Sequence, residues 1–567
     1  MKTKFAGTVL IIMMFASMLL VTGNAQAATI ITVTTTTDSV TEDGQCSLRE
    51  AVLSANTDSA VGGCAAGTGT DTIHFDASLS QPMVFTLSLT GSGEDAAATG
   101  DLDVTGTLII AGAGQGQTVI DGNGTDRVFD VLQGANLTLS DLTVRNGNPG
   151  GGAEGAGIRS SGRFTISDSI VTSNQGNGIT NDAGQTVLIQ VNVTGNTGYG
   201  IYNMRQGTLT YTGGEVSGNQ NGGIFNTVAT ATLMNIRVLD NTGAGGVANV
   251  GSARSRLTMT DSLVMGNSSS TSGGGIKNDG SQNLADIRNT TISSNQADSA
   301  GGGVFNIGVM ALIGNTIENN RARSGAGVDH FGGQLSMNND TVSGNVASDN
   351  GGGLYNRDSA TLVNVTFNGN TANGQGTGGN IFNDEASISI KNTILANPGG
   401  EDNCFNSEGF VNSLGHNLES GNTCGFTGTG DLINTDPLLG ALQDNGGPTF
   451  TNALQAGSPA IDGGDNADCP KTDQRGSSRP VDGNGDGTVL CDIGAFEFNS
   501  IVPTITATTQ PTATFTPPPT ETFTPGPVVT NTPIPSPSPT PIPPTTPCAS
   551  AMLALIAFAV VIRLRVR

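Results

Sequence analysis

Tryptophan is absent and tyrosine occurs only four times among 567 residues. Sugar sites favour aromatic faces, so the composition offers few platforms for one. Charge is scarce as well: charged residues make up 12% of the chain, about half the usual share. The balance is acidic, with a formal net charge of −24 and no basic cluster. Nucleic acid is excluded as a partner, because nothing stands ready to neutralise phosphates. The central repeats show no helical 3.6-residue pattern, which excludes leucine-rich and ankyrin types. They also contain no cysteine. A globular enzyme of this length rarely has such a composition. A solenoid does, because each coil needs sharp corners and only a thin core, and 83 glycines supply the corners.

What is present is a repeat. Between about residues 157 and 383 a glycine cluster ends ten times in glycine, an aliphatic residue, one variable residue and then usually asparagine. The aliphatic residue is Ile179, Ile201, Ile224, Ile276, Val304 and Leu354 in the clearest copies, and the period is 21 to 29 residues. Each repeat also carries an alternating segment such as Thr232-Leu233-Met234-Asn235-Ile236, the signature of a half-buried strand. Propeller blades need about 40 residues. The period instead fits a coil of a parallel β-helix. Two asparagine columns recur in register, one from Asn181 to Asn383 and one from Asn174 to Asn397. Coils stack roughly 4.8 Å apart, so such amides can hydrogen-bond along a column. Asn also tolerates the left-handed backbone of a sharp corner. Both columns read as structural.

The N-terminus reads as a signal peptide over residues 1–27, with Lys2 and Lys4, an apolar run and an Ala25-Gln26-Ala27 cleavage site. Export permits disulfides. Six of the seven cysteines fall in three local pairs, Cys46 with Cys64, Cys404 with Cys424 and Cys469 with Cys491. Fifteen connectivities are open to six cysteines, and nearest-neighbour pairing is the simplest. Residues 28–103 form an N-terminal cap region. In it, Ser47 and Glu50 make a capping box for a short helix with Leu48, Val52 and Leu53 on its apolar face. Such a helix covers the core and strand edge that an open solenoid end exposes.

The hexapeptide Cys46-Ser47-Leu48-Arg49-Glu50-Ala51 resembles the signature of bacterial secreted proteins named for the CSLREA motif. Asp71-Thr72-Ile73-His74-Phe75 and the first coil, Val119-Ile120-Asp121-Gly122 to Asn146-Gly147, fit the same pattern. The resemblance implies a right-handed parallel β-helix of the pectate-lyase-like class. The glycine cluster with its Asn also resembles repeats of chlamydial polymorphic outer-membrane proteins. The expected fold is therefore all-β: a right-handed parallel β-helix of roughly twelve coils over residues 104–397, with a small N-terminal cap helix and a loop-rich C-terminal cap.

Residues 401–498 carry five ordered motifs, among them Gly457-Ser458-Pro459-Ala460-Ile461-Asp462, Thr472-Asp473-Gln474-Arg475-Gly476 and Cys491-Asp492-Ile493-Gly494-Ala495-Phe496-Glu497. The set resembles the domain called choice-of-anchor Q, which implies a region preceding a surface-anchoring tail and brings no catalytic residues. Its turn chemistry predicts irregular packing over the last coil. Residues 501–547 are a Thr/Pro-rich stalk that cannot bury a core. Residues 548–567 hold an apolar segment followed by Arg563, Arg565 and Arg567. It reads as a membrane anchor with its arginines inside, or as a sorting segment that is cleaved.

Chemistry is thin. Asp329-His330 breaks the asparagine column, with Glu318, Arg321, Arg323 and Asp340 in adjacent coils, but irregular surface substitution explains these as well, and no catalytic residue is assigned. Asp482-Gly483-Asn484-Gly485-Asp486-Gly487 matches the first half of an EF-hand loop. The glutamate due at its twelfth position is replaced by Ile493, with Asp492 one residue early. Two readings stand: a weak Ca²⁺ site with Asp482, Asn484, Asp486 and Asp492 as donors, or a polar turn held by the Cys469 and Cys491 pair. Adhesion or surface display at the cell surface is the preferred function, toward an extracellular glycan or surface protein. A surface-anchored polysaccharide lyase or glycoside hydrolase competes with it, and a structural envelope component is the third reading.

Overall fold

The computed structural model describes residues 29–150, 155–374, 378–399 and 402–501. The chain divides into two units, Met1–Thr504 and Ile505–Arg567, and every described residue belongs to the first. The signal peptide, nearly all of the stalk, the C-terminal segment and Cys548 lie outside the described residues. Among the described residues no helix is long and apolar enough to cross a membrane.

The repeats form a parallel β-helix. A 13-stranded parallel sheet starts at Leu102–Val104 and ends at Cys404–Ser407, one strand per coil. A 27-stranded sheet wraps the remaining sides as two rows of strands. The rows fuse where Gln185–Thr194 and Thr208–Ser217 run through the corner as single ten-residue strands. A 5-stranded sheet closes the later coils. The ladder begins already at Thr29–Val33, paired with Thr70–Phe75, and runs to Leu418–Glu419, so both flanking regions add strands to the solenoid. The one antiparallel pair among the named strands is the hairpin of Leu439–Gln443 with Thr451–Leu454.

Burial sets this pattern. Ile179, Ile201, Ile224, Ile276, Val304 and Leu354 stack in register inside the coil and are fully buried, as the repeat predicts. Both asparagine columns form. Asn181 donates to Asn203, Asn203 to Asn226 and Asn226 to Asn249, each at 2.7 Å. Asn174, Asn196, Asn219 and Asn241 repeat this on the other corner. Two details differ from expectation. The left-handed residue at this second corner is not the asparagine but its predecessor, for example Ser173, Gly195, Gly218, Asp240 or Gly344. A buried asparagine keeps its amide aligned with the column, and the exposed neighbour takes the turn. The column also leaves Asn397 exposed at its end. Asn370 donates instead to Asn380, and Asn380 to Asn403.

The N-terminal end is closed by the helix Leu48–Thr57. Its capping box is present: the Glu50 amide donates to Ser47 Oγ, and the Ser47 amide donates to Glu50 Oε2. Glu50 Oε1 also accepts from the Thr41 amide. Arg49 is fully buried beside it, bidentate to Asp38 at 2.7 and 3.2 Å. Its remaining N–H groups donate to the carbonyls of Ala97, Gly100 and Asp101. All three local cysteine pairs are disulfide-bonded, Cys46–Cys64, Cys404–Cys424 and Cys469–Cys491.

The C-terminal region is loop-rich, but it does not simply cover the last coil. It lies along the side of several coils. Thr449 Oγ donates to the Gly314 carbonyl, and Gln474 spans from Asn315 and Thr316 to Thr341. Further along, Asn364 donates to the carbonyls of Asp492 and Gly494, and Lys391 pairs with Asp465 and Asp468. Ile394 and Leu418 of the solenoid share a buried cluster with Leu454, Ala460, Ile493 and Phe496. The buried Arg475–Asp473 and Arg479–Glu497 pairs hold the region together from inside.

Candidate functional site

From Ile179 on, most strands of the 13-stranded sheet read aliphatic, variable, asparagine. Side chains alternate along a strand, so the aliphatic residue and the asparagine face inward and the variable residue faces out. Register then stacks the variable residues in one outer row. Asp103, Asp130 and Arg159 begin it. Thr180, Tyr202, Phe225 and Ala248 follow. Lys277, Phe305, Asp329, Tyr355, Phe382 and Phe405 complete it. Six aromatic residues, Tyr202, Phe225, Phe305, Tyr355, Phe382 and Phe405, lie in this row. Tyr199, Tyr202 and Phe225 pack with ring centroids 4.6 to 5.5 Å apart. Tyr355, Phe382 and Phe405 form a second stack, with centroids 4.9 and 5.2 Å apart.

Beside this second stack lies a pocket of about 350 Å³ lined by Phe305, Phe331, Tyr355, Arg323, Arg357 and Asp349, with serines between them. Phe331 is half exposed. The Arg357 guanidinium sits 4.0 Å from the Tyr355 ring centroid and 4.8 Å from that of Phe331, within cation–π range. Tyr355 donates its hydroxyl to Asp384 at 2.7 Å. Arg323 and Asp349 stand exposed 3.4 Å apart, a pair of little energetic weight. Asp329 is buried under this wall. Its Oδ2 accepts from Ser324 Oγ at 3.0 Å, and its Oδ1 has no partner. Burial pushes its carboxyl up to about 6, against the pull of Arg357.

His330 points the other way. It replaces asparagine in the inner column, with Nδ1 3.0 Å from the Asn306 amide nitrogen and Nε2 3.1 Å from the Ser359 carbonyl. The amide can only donate and the carbonyl only accept, so the ring is neutral with its proton on Nε2. Burial lowers its pKa accordingly. Adjacent strand residues face opposite sides, so Asp329 and His330 make no dyad. Of their expected neighbours only Arg323 shares the pocket wall. Arg321 lies on the 5-stranded sheet, Glu318 on the long sheet, and Asp340 is buried under the C-terminal region. Asp340 Oδ1 accepts from the backbone and side-chain amides of Asn315, and burial raises its carboxyl to about 7.

A larger cavity of about 620 Å³ lies on the outer face of the long sheet between Arg256 and Thr361. Threonine, serine and aliphatic side chains dominate its lining, and the ionic chemistry gathers in the smaller pocket.

At the expected calcium loop, Asp482 accepts from the amides of Gly485 and Gly487, Asn484 from Asp486, and Asp486 from Thr488. Asn484 and Asp486 are exposed and Asp482 is half-buried, and the three hold their own turn. Asp492 is buried, accepting from the amides of Asp462 and Phe498, with its carboxyl raised to about 8 by burial and the nearby Glu497. Among the described residues, one group of three or more acidic, histidine or cysteine side chains lies close enough to share an ion: Asp101, Asp103 and Asp130. Sequence reading passed over it, because these strands precede the regular repeat. It passed over the strip too, because the outer position varies from copy to copy. Reading that position down the copies exposes it.

Fold and strip together define a parallel β-helix with an aromatic and charged outer row. No protein-family model and no curated protein matches the chain. Among solved structures it is similar to the pectate lyase Pel9A at 14% identity and a TM-score of 0.33, over 83% of this chain and 96% of that one. It is also similar to the A-module of the mannuronan C-5 epimerase AlgE4 of Azotobacter vinelandii, at 14% identity and a TM-score of 0.35, over 66% and 97%. Likeness at this level carries no argument, and the β-helix rests on the strand register above.

Proposed function

We propose that the chain is an exported, surface-tethered β-helix that binds an extended polysaccharide along its outer strip, for adhesion or display. The observation that carries this reading is the pocket beside the outer row, where the half-exposed Phe331 and the Arg357 guanidinium stand next to the buried Phe305 and Tyr355. Sugar rings stack their C–H faces on aromatic rings, and Arg357, Arg323 and Asp349 supply directional groups for hydroxyls or carboxylates. A glycan is a linear repeat, and a row with a fixed rise of roughly 4.8 Å suits one. The signal peptide, the Thr/Pro stalk and the apolar C-terminal segment support export and tethering. The CSLREA and choice-of-anchor Q resemblances support the same arrangement.

The test is a glycan array spanning neutral polymers and polyuronates, run with a depolymerisation assay. Tyr355→Ala with Phe331→Ala is expected to weaken binding by about tenfold, since aromatic contacts contribute roughly 0.5–1.5 kcal/mol each. Far-ultraviolet circular dichroism should stay unchanged. Binding to no polymer, or equal binding by the double variant, refutes the strip. A second reading, an enzyme, would use Asp329, buried beneath the pocket wall with its Oδ1 unpartnered, as the acid. Polymer cleavage that Asp329→Asn abolishes would establish that reading in place of display.

A further inference from the structure

We propose that Asp101, Asp103 and Asp130, with Asp126 beside them, form a site for a hard divalent cation, calcium by its chemistry, joining the N-terminal cap to the first coils. One oxygen from each of the first three lies within 4.8 Å of the other two, the separation expected of ligands around one ion at about 2.3–2.6 Å. All three side chains are buried. Asp103 and Asp130 are register partners on adjacent strands, so the backbone fixes their closeness.

Two observations besides the clustering point to a cation. The first is that Asp103 Oδ1 and Asp130 Oδ1 are buried with no hydrogen-bond partner, although their Oδ2 atoms accept from the Ala97 amide and from Arg127. Asp126, outside the trio, is 2% exposed and its Oδ2 also has no partner. Its field reaches Asp101, and its Oδ2 lies 2.7 Å from where a Cβ on Gly100 would stand. Gly100, at φ +63°, is therefore the residue that lets the carboxylate sit there. Buried acceptors of this kind cost several kcal/mol unless something donates to them.

The second is charge. The half-buried Glu94 adds its field to Asp103, and the exposed Asp95 adds its field to Asp130. Two guanidiniums answer them: Arg127 bridges Asp101 and Asp130, and Arg159 divides itself between Asp130 and Asp182. Arg49 is fully used by Asp38 and three carbonyls. Several negative charges stay unanswered in a dry setting, where a divalent ion is the compact remedy. The donors are all oxygens and irregularly placed, which suits calcium better than the octahedral demand of magnesium.

The test uses the full purified chain, stripped with chelator and dialysed against millimolar CaCl₂, with bound metal counted by elemental analysis. The parent should hold one more ion per chain than Asp103→Asn with Asp130→Asn. Asp482→Asn with Asp486→Asn should leave that ion in place. A second measurement needs no variant. Chelation should speed proteolysis in the 88–100 segment by about tenfold when the reference calcium is ten times Kd. A parent that binds no calcium, a first double variant that binds as much as the parent, or cleavage equal in calcium and chelator would each overturn the site.

Discussion

The two ends of the solenoid are closed in opposite ways. At the N-terminal end one short helix plugs the coil, and a single buried guanidinium ties it to the Asp38 carboxylate and to three backbone carbonyls. At the C-terminal end the described residues form no helix. Loops run back along the flank from Asn392 to Gly314 and take hold of each rung in turn. The first end is secured at a point and the second along a line. A point closure concentrates its cost in one residue, and a line spreads it over many.

That contrast can be broken by substitution. Arg49→Ala is expected to cost the most, about 3–5 kcal/mol, because it leaves Asp38 buried and three carbonyls unpaired. Urea unfolding measures it. By contrast, Gln474→Ala, which removes one link of the line, should cost about 1–3 kcal/mol. Equal losses at the two positions would erase the distinction.

The disulfides sharpen it. Their sequence separations are 18, 20 and 22, so loop entropy assigns each about 3 kcal/mol. Replacing each pair by serine should therefore give similar losses. A much larger loss for Cys46 and Cys64 would show that the point closure depends on its bridge.

Acidity probes the line. The Asp340 carboxyl, between Asn339 and Thr341 that the line holds, is raised to about 7 by burial. A raised carboxyl favours the fold below its unfolded value near 4, and that contribution is lost as pH rises through about 7. Between pH 5 and 8 the parent should thus lose on the order of 2 kcal/mol more than Asp340→Asn. Parallel pH profiles would contradict this. The smallest effect is expected at the loop of Asp482, Asn484 and Asp486. If that loop binds calcium weakly, ten times Kd would add roughly 1.4 kcal/mol to stability, and Asp482→Ala with Asp486→Ala would remove it. Identical melting in calcium and chelator leaves a polar turn.

Much of this was legible in the sequence because burial enforces identity. A coil interior keeps an aliphatic residue at position 179 and at nearly all its equivalents, so the period shows itself. The asparagine columns repeat for the same reason, and the capping box is a local signal of four residues. The outer strip was illegible because nothing enforces sameness there: Tyr202, Lys277 and Asp329 occupy one geometric position. Asp103 and Asp130 meet only through register, which no local pattern announces. The lateral reach of the C-terminal loops was equally hidden. Gln474 finds Asn315 across 159 residues with no periodicity to mark the match.

The line closure has a mechanical consequence. In a solenoid each coil touches only its neighbours, so tension applied at the last coil would peel the stack one rung at a time. Tension entering the described chain at its end near Ser500 meets a different arrangement. Arg475 holds Ser500 from inside the clasp, and the clasp grips rungs from Gly314 to Asn392 in parallel. The load is then carried in shear by many bonds at once. Rupture under force is governed by the unfolding rate, and shearing several rungs together raises that barrier well above peeling one.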